Sequence, residues 1–555
     1  MDASLYRSSR SGRPRLRIGL LLESASLPRW SAEILDHIIG CDFAAIELVV
    51  YDAGKARTTH SSFLFRLYER WDRRNVDPST SPDARVDCSE RLAQVDSMRV
   101  DTIAEGCAHS FADEAVARIR DRKLDVLIHF GCNDLRGEVL GAARYGVWSY
   151  HHGDSAQYRG APAYFWEIVE ENPVSGAVLQ VLTQEPGAGK VLCGGLFATD
   201  DGFSLARNRV QPFWGASTFM IQKLRELHAH GWEHVERNLV SPAPYRGRKV
   251  HSRPSNTEVL LWLVPLLVGK TVRRLFRRPM VRHWRIAIRV GARPIPGSTA
   301  PPDMSGFRWI DPPKGHAYAD PFVIEVDGKH WAYFEDFDYA SERGSIACAE
   351  IRDGALGAPM HALERPYHIS YPCIFRDGET WYMIPETAAA GTVELYRCAR
   401  FPDRWQFERE LLKAFVVDTT VWIENGVYWF FVTYLEPRGG ALQLWLYSAT
   451  SLEGAWTPHP ANPISTDVRC SRSAGAIFRH EGRLYRPSQD DSGDYGRSMT
   501  LNEIVVMDRE SYREEPRVTV EPSLIKGLAG THTYGRAGDV EIIDGKTRVM
   551  RRRIL

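Results

Sequence analysis

The sequence predicts a two-part chain, an α/β doubly wound N-terminal domain followed by an all-β five-bladed β-propeller. Two patterns and the length support this. At 555 residues the chain exceeds one ordinary hydrophobic core. The first half alternates apolar strand runs with helical spacing, the signature of a mostly parallel sheet. In the second half, short aromatic strands recur around Asp-Gly, Asn-Gly and Glu-Gly turns. The boundaries read as a disordered tail over 1–14, an α/β domain over 15–230, a linker over 231–282 and a propeller over 283–555.

In the α/β part, Leu16–Leu22, Ala45–Tyr51, Leu124–Phe130 and Gly146–Tyr150 read as strands. Ser31–Ile39, Phe111–Arg120 and Leu135–Tyr145 read as the helices between them. Ala177–Leu182 and Lys190–Phe197 follow as strands, and Phe213–His230 as one long closing helix. The richest stretch is Ser149–Pro162 (SYHHGDSAQYRGAP). Polar, titratable residues at the end of a buried strand stand where open α/β sheets place ligands.

In the linker, Val259–Gly269 (VLLWLVPLLVG) is wholly apolar, and Lys270, Arg273, Arg274, Arg277 and Arg278 follow it. Eleven residues with Pro265 inside are too few for a bilayer span, which takes about 20. Two readings stay open: a buried interdomain helix, or an interfacial helix with its apolar side in lipid and arginines at the headgroups, giving peripheral membrane contact through 259–278.

The propeller reading rests on four repeats that begin at Asp320, Tyr371, Asp418 and Ser473. Each is a strand, a two-residue turn and an aromatic strand. Their first residues lie 51, 47 and 55 positions apart. A degenerate fifth runs from Tyr534 to Val549, with Asp544-Gly545 as its turn. A period of this length with several strands per unit is that of propeller blades.

The bulk composition excludes several classes. Lys+Arg and Asp+Glu are equal at 70 each, so no general basic surface for nucleic acid is expected. The nine cysteines are scattered, odd in number and without a Cys-x-x-Cys pair, so neither a disulfide framework nor a structural metal site is expected. Met1–Arg17 lacks the apolar core of a secretory signal, and a cytoplasmic location is the expectation.

Four blocks occur in order: Asp125–Gly131 (DVLIHFG), Gly146–Asp154 (GVWSYHHGD), Tyr158–Ile168 (YRGAPAYFWEI) and Ser175–Leu182 (SGAVLQVL). Together they resemble the formyltransferase domain of methionyl-tRNA and sugar N-formyltransferases, over about 15–230 and most closely over 124–195. The resemblance implies a Rossmann-like fold, a 10-formyltetrahydrofolate donor and an amine acceptor such as a nucleotide amino sugar. Such a transfer needs a base for the amine and donors for the oxyanion. The family's Asn-His-Asp set maps onto Ser149, His151 and a position near Gly187, where the segment Glu185–Gly189 has no Asp. Asp154 and Glu185 are the nearest carboxylates. His152, Tyr158 and Arg159 are the flanking candidates for substrate binding. The pocket therefore reads either as a rearranged transfer site or as a non-catalytic ligand site.

In the propeller, Asp320, Glu386 and Asp418 are the candidate catalytic carboxylates, and His316, Tyr371, Arg472 and His532 the candidate binding residues. Paired carboxylates among Trp and Tyr suit glycosidic chemistry. The start Ala319-Asp320-Pro321-Phe322 resembles the propellers of glycoside hydrolase families 43, 32 and 68. The run Arg483–Gly496 (RLYRPSQDDSGDYG), with Gly530-Thr531-His532-Thr533, is more similar to the N-terminal domain of plant glucosamine inositolphosphorylceramide transferases and their bacterial relatives, over about 283–555. In the plant enzymes a separate glycosyltransferase domain is expected to perform the transfer, and this chain shows no counterpart of it. The resemblance thus implies a carbohydrate or glycolipid context.

The combined expectation is a carbohydrate-modifying protein of surface polysaccharide or glycolipid biosynthesis. It would perform N-formyl or acyl transfer to an amino sugar, with a glycan-binding or glycan-processing propeller. The alternatives are a propeller glycosidase or glycosyltransferase with a degenerate accessory domain, and a non-enzymatic glycan-binding scaffold.

Overall fold

A computed structural model describes the chain except for residues 1–2, 10, 53–61, 106–107, 132–133, 186–188, 201, 242–243, 248–249, 276–279, 292–293, 298–300 and 551–555. The chain forms two compact units: Asp2–Gly269 with Pro437–Ala441, and Lys270–Glu436 with Leu442–Leu555. The segment read as a linker is thus divided at Gly269.

The N-terminal unit is built on a seven-stranded sheet: β1 (Leu16–Leu22), β2 (Ala44–Asp52), β3 (Ser97–Val100), β4 (Val126–His129), β5 (Val147–His152), β6 (Val174–Val181) and β7 (Lys190–Ala198). Their spatial order is β7-β6-β5-β4-β1-β2-β3. The pairs among β5, β4, β1, β2 and β3 are parallel, and β6 and β7 add antiparallel. β1 and β4 are apolar almost throughout, as strands covered on both faces must be. Leu21, Leu48, Val50, Leu127, Val139 and Val147 form part of the core on one face.

Several expected elements differ. β5 extends to His152, because antiparallel pairing with β6 continues through His151↔Val178 and His152↔Ala177. The helix expected over Leu135–Tyr145 reduces to a single 3-10 turn, Glu138–Gly141. Left-handed glycines at 137 and 146 bend the chain on either side of it. The closing helix divides into Leu205–Ala216 and Phe219–His230. The first starts early because Ser204 Oγ caps it, accepting from Arg207 N at 3.1 Å. Helix Phe63–Asp72 and edge strand β3 were not expected. The apolar run belongs to a longer helix, Asn256–Leu275. A reciprocal cap starts it: Ser255 N–H donates to Glu258 Oε2 (2.9 Å), and Glu258 N–H donates to Ser255 Oγ (3.2 Å). Arg277 and Arg278 lie outside the described residues.

The C-terminal unit is a five-bladed propeller, with five sheets of four or five strands. The inner strands of blades one to four are His316–Val326, Ser370–Asp377, Val416–Glu424 and Arg472–Ser473. Asp327-Gly328, Asn425-Gly426 and Glu481-Gly482 all adopt positive φ, the requirement of tight hairpin turns. The fifth blade joins both ends of the unit. Tyr534–Ala537 and Val540–Met550 are completed by Met280–Val290 and Arg308–Ile310 from the N-terminal side. Pairing of Met280–Val290 with Val540–Met550 is continuous from Met280↔Met550 to Val290↔Val540. The first propeller strand thus begins at Met280. The fifth hairpin turns at Gly538-Asp539, between Ala537 and Val540, and Asp544-Gly545 lies within a strand. Asp544 is therefore buried on a strand rather than placed on a turn.

A buried charge cluster holds this closure. Arg289 Nη2 meets Glu541 Oε2 at 2.5 Å, and Glu541 Oε1 accepts from Tyr534 Oη (2.7 Å) and Ile295 N (2.9 Å). Removing one partner of a buried pair typically costs about 3–5 kcal/mol, because the other charge is stranded. Glu541→Ala is expected to lower propeller stability by about that amount, read as the urea midpoint. Arg289→Met with Glu541→Leu is expected to cost less than the single change.

Candidate active site

The inner strands of blades one to three carry the same irregularity. Pairing jumps from Ala319 to Phe322, from Ser370 to Cys373 and from Val417 to Thr420. The first residue skipped in each case is Asp320, Tyr371 or Asp418. Their φ values are 50°, 44° and 51°, a left-handed backbone carried by residues other than glycine. Each such position costs of order 1–3 kcal/mol and persists only where the surroundings impose it. The break replaces two residues of regular pairing, so these side chains leave the pleat and meet around the propeller axis.

Asp320, His532 and Asp544 form one connected group, between 0% and 5% exposed. His532 Nδ1 lies 2.5 Å from Asp544 Oδ2, and His532 Nε2 lies 3.8 Å from Asp320 Oδ1. Thr533 Oγ1 donates to Asp320 Oδ1 at 3.0 Å. Asp544 also accepts from the backbone N–H groups of Asp320, His532 and Thr533. Trp284 stacks on the imidazole at 3.9 Å. Among the described residues, Asp320, His532 and Asp544 are the three whose possible metal-ligand atoms lie within 4.8 Å of one another. In this structure those atoms are engaged with each other.

A second group centres on Asp418. Arg472 Nε donates to its Oδ2 at 2.5 Å, and Gln489 Nε2 donates to the same oxygen at 3.0 Å. Arg472 also lies over the Tyr495 ring, 4.9 Å from its centroid. Glu386, at the end of strand Thr380–Glu386, keeps part of its surface accessible. It accepts from Ala388 N (3.2 Å) and Ser370 Oγ (3.3 Å). Burial, with the neighbouring Asp418 charge, pushes its carboxyl up to about 7, against the pull of Arg472. Burial likewise raises Asp320 and Glu335, although His532 draws Asp320 back. Burial alone would lower His532, but Asp544 and Asp320 outweigh it and its imidazolium is favoured.

Tyr371 and His316 hydrogen-bond to partners other than Asp320, Asp418 and Glu386. Tyr371 Oη bonds Thr420 Oγ1 (2.8 Å), donates to Gly475 O (3.2 Å) and accepts from Gly475 N (2.7 Å), tying blades two, three and four together. It is a structural tie rather than a substrate contact. His316 Nδ1 pairs with Asp336 Oδ1 at 2.7 Å. Nothing in the local sequence marks Asp544, Gln489, Glu335 or Trp284 as site residues. Asp544 carried a false turn signal from its following glycine, and the others sit on ordinary strand patterns.

The residues nominated in the N-terminal unit are close in space but otherwise engaged. Ser149 Oγ donates to the His129 carbonyl at 3.2 Å. His151 Nε2 donates to the Tyr158 carbonyl at 2.9 Å. Asp154 closes its own turn, accepting from Ala156 N (2.9 Å) and Gln157 Nε2 (2.7 Å). His152 pairs its Nδ1 with Tyr164 Oη at 2.9 Å, and Phe213 and Trp30 pack on its ring. Burial pushes it down to about 3, so its imidazole is neutral. Tyr158 Oη donates to Glu170 Oε2 at 3.0 Å, and Arg159 Nε donates to Ser155 O at 3.1 Å. Glu185 is exposed, while residues 186–188 of its loop lie outside the described residues. Ser149, His151 and Asp154 thus each bond groups of their own fold.

Residues 313–534, most of the propeller, match the family described as glucosamine inositolphosphorylceramide transferase 1, N-terminal. The chain is 34% identical over 204 residues to the Arabidopsis thaliana glucosamine inositolphosphorylceramide transferase 1, covering 35% of this chain and 26% of that protein. It is 31% identical over 266 residues to the Oryza sativa subsp. japonica protein of the same name, covering 46% and 34%. The chain thus spans about a third or less of the length of these curated relatives. Among solved structures, a family 117 glycoside hydrolase from Zobellia galactanivorans aligns with 48% of this chain and 91% of its own, at 12% identity and TM-score 0.32. A glycinamide ribonucleotide transformylase from Symbiobacterium toebii aligns with 39% and 88%, at 16% identity and TM-score 0.28. At these TM-scores neither likeness bears on the reaction.

The raised His532 carries a stability signature. Its contribution is fully present below about pH 6.5, the ordinary imidazole value, and is lost as pH rises through the higher folded-state value. The stability difference between wild type and His532→Asn, read by urea midpoint, is expected to be largest below about pH 6.5 and to shrink above it. A difference constant with pH would contradict the ion pair.

Proposed function

We propose that the protein acts on the sugar part of a glycan or glycolipid at the propeller axis, by acid–base chemistry at a glycosidic bond. The observation that carries this reading is Glu386. Its carboxyl, pushed up to about 7 and partly accessible, stands in the field of an Asp418 carboxylate that Arg472 and Gln489 hold in place. A carboxyl that burial keeps protonated near neutral pH can serve as an acid, with a second carboxyl group beside it. The similarity of 313–534 to the N-terminal part of a glycolipid-directed transferase supports the substrate class.

In this reaction Glu386 gives its proton to the leaving oxygen as the C–O bond to the anomeric carbon breaks. Asp418 faces the positive charge that develops on the sugar. An acceptor hydroxyl, from water or a second sugar or lipid, then bonds to the anomeric carbon and yields its proton to Asp320. The partly exposed Tyr495 ring supplies a flat surface for the sugar.

Glu386→Gln removes the proton donor while keeping shape. Turnover of a glycolipid headgroup substrate is expected to fall by about 100-fold or more, with binding retained. The wild-type rate is expected to fall as pH rises through about 7, where Glu386 loses its proton. A rate that rises across this window, or a Gln variant with full activity, would sink the assignment.

The second reading places transfer in the N-terminal unit: N-formyl or acyl transfer to an amino sugar from 10-formyltetrahydrofolate. Its support is the position of His151 at the C-terminal end of β5, beside parallel β4. The engagement of Ser149, His151 and Asp154 within the fold favours a ligand-binding or structural role for this unit instead. Folate-dependent formylation of a nucleotide amino sugar is expected to be absent. If such activity is found and His151→Ala abolishes it, the second reading is restored.

A further inference from the structure

The N-terminal unit exposes large apolar side chains on two neighbouring helices. On Asn256–Leu275, one face is turned inward. Val259 is buried, and Trp262 packs edge-on to Tyr68 (5.4 Å) and Phe165 (5.1 Å). The opposite face carries Leu260, Leu261, Val264, Leu267 and Val268, one stripe at helical spacing, each 43–72% exposed. No polar side chain interrupts the sequence from Val259 to Gly269. A surface helix of a water-bathed unit puts polar residues on that outer face.

Helix Phe63–Asp72 adjoins it through the Tyr68–Trp262 contact and through Leu64 N–H, which donates to Asn256 Oδ1 at 2.9 Å. It exposes Phe63, Leu67 and Trp71, at i, i+4 and i+8, by 64%, 55% and 44%. Arg66, Arg70, Arg73 and Arg74 are exposed around them. The acidic residues of this stretch do not offset them. Asp72 is buried and accepts from Ala206 N at 2.7 Å, and Glu69 is half-buried with Arg209 3.9 Å away. Glu258, in the first turn of the other helix, is half-buried and bonded to Ser255, so the surface combines bulky apolar groups with mostly positive exposed charge. Past the apolar run, the sequence adds Lys270, Arg273, Arg274, Arg277 and Arg278.

Among the described residues no helix is long and apolar enough to cross a membrane. We propose that the two helices seat this unit on an anionic lipid surface, with the Leu, Val, Phe and Trp side chains entering the headgroup region and the exposed arginines meeting lipid phosphates. An apolar face rimmed by Arg is the pattern of an interfacial helix, and Trp is suited to headgroup depth. Charge selects a membrane over a second copy of the chain: two such faces brought together would oppose arginine to arginine. The proposal is independent of the sugar chemistry assigned to the propeller.

Flotation of the full chain tests it, with phosphatidylcholine vesicles and with phosphatidylcholine–phosphatidylglycerol vesicles at low and high salt. The expected result is flotation with the anionic vesicles, weakened by salt and by omission of phosphatidylglycerol. Leu261→Gln/Val264→Gln/Val268→Gln changes only exposed positions and is expected to abolish flotation while the circular dichroism spectrum stays unchanged. Arg66→Gln/Arg70→Gln/Arg73→Gln/Arg74→Gln is expected to weaken partitioning into anionic vesicles by at least about tenfold, with little effect on neutral ones. Chain that stays at the bottom of the gradient with anionic vesicles at low salt overturns the proposal. So does a sedimentation dimer that the triple Gln variant dissolves without any lipid binding, since a second copy would then be the occupant.

Discussion

The pairing of Met280–Val290 with Val540–Met550 is the constraint on which the propeller depends. It joins the two ends of the unit in one sheet and leaves the ring without a long open edge. The same pairing builds the site. Asp544 lies on the closing strand, opposite Ile286, and its carboxylate collects the Asp320, His532 and Thr533 N–H groups together with the His532 ring. Trp284, on the partner strand, stacks on that ring. Closure and active-site geometry therefore share residues, and strain at Asp320 is held by bonds that exist only when the ring is shut.

The axis concentrates carboxylates in a place where ionising all of them is prohibitive. Desolvation raises Glu335, Glu386 and Asp320, while Arg472 and the favoured His532 imidazolium offset part of the negative charge. Asp418 has a short, charged partner. Glu386 has backbone and hydroxyl donors and a surface open to a substrate. The N-terminal unit contrasts with this. Its histidines at 129 and 152 are desolvated, and burial pushes both below the usual imidazole range. They serve packing, and the polar groups around them bond carbonyls and hydroxyls of their own fold.

Much of this was legible in the chain. The turn signals at Asp327-Gly328, Asn425-Gly426 and Glu481-Gly482, spaced at a blade's period, mark hairpins because only residues tolerant of positive φ suit those turns. The apolar runs of β1 and β4 mark buried parallel strands. Asp320 and Asp418 were recognisable from their equivalent repeat positions. Asp544 was not, since Asp-Gly reads locally as a turn and only pairing with Met280–Val290 turns it into a strand. Tyr371 looked like a binding residue because its repeat position matches Asp320 and Asp418, yet its hydroxyl is taken by Thr420 and Gly475.

The sequence by itself determined the strand and helix periods, the number of blades, the apolar run at 259–269 and the residue types at the blade starts. These depend on local spacing and backbone preference. Tertiary structure alone decided which polar groups remain open to a substrate and which are spent within the fold. It also decided that a second helix, Phe63–Asp72, lies beside the apolar run. Such outcomes turn on contacts between residues tens to hundreds of positions apart, such as Asp320 with Asp544 and Tyr68 with Trp262. No local pattern encodes which distant partner removes a donor or covers a face.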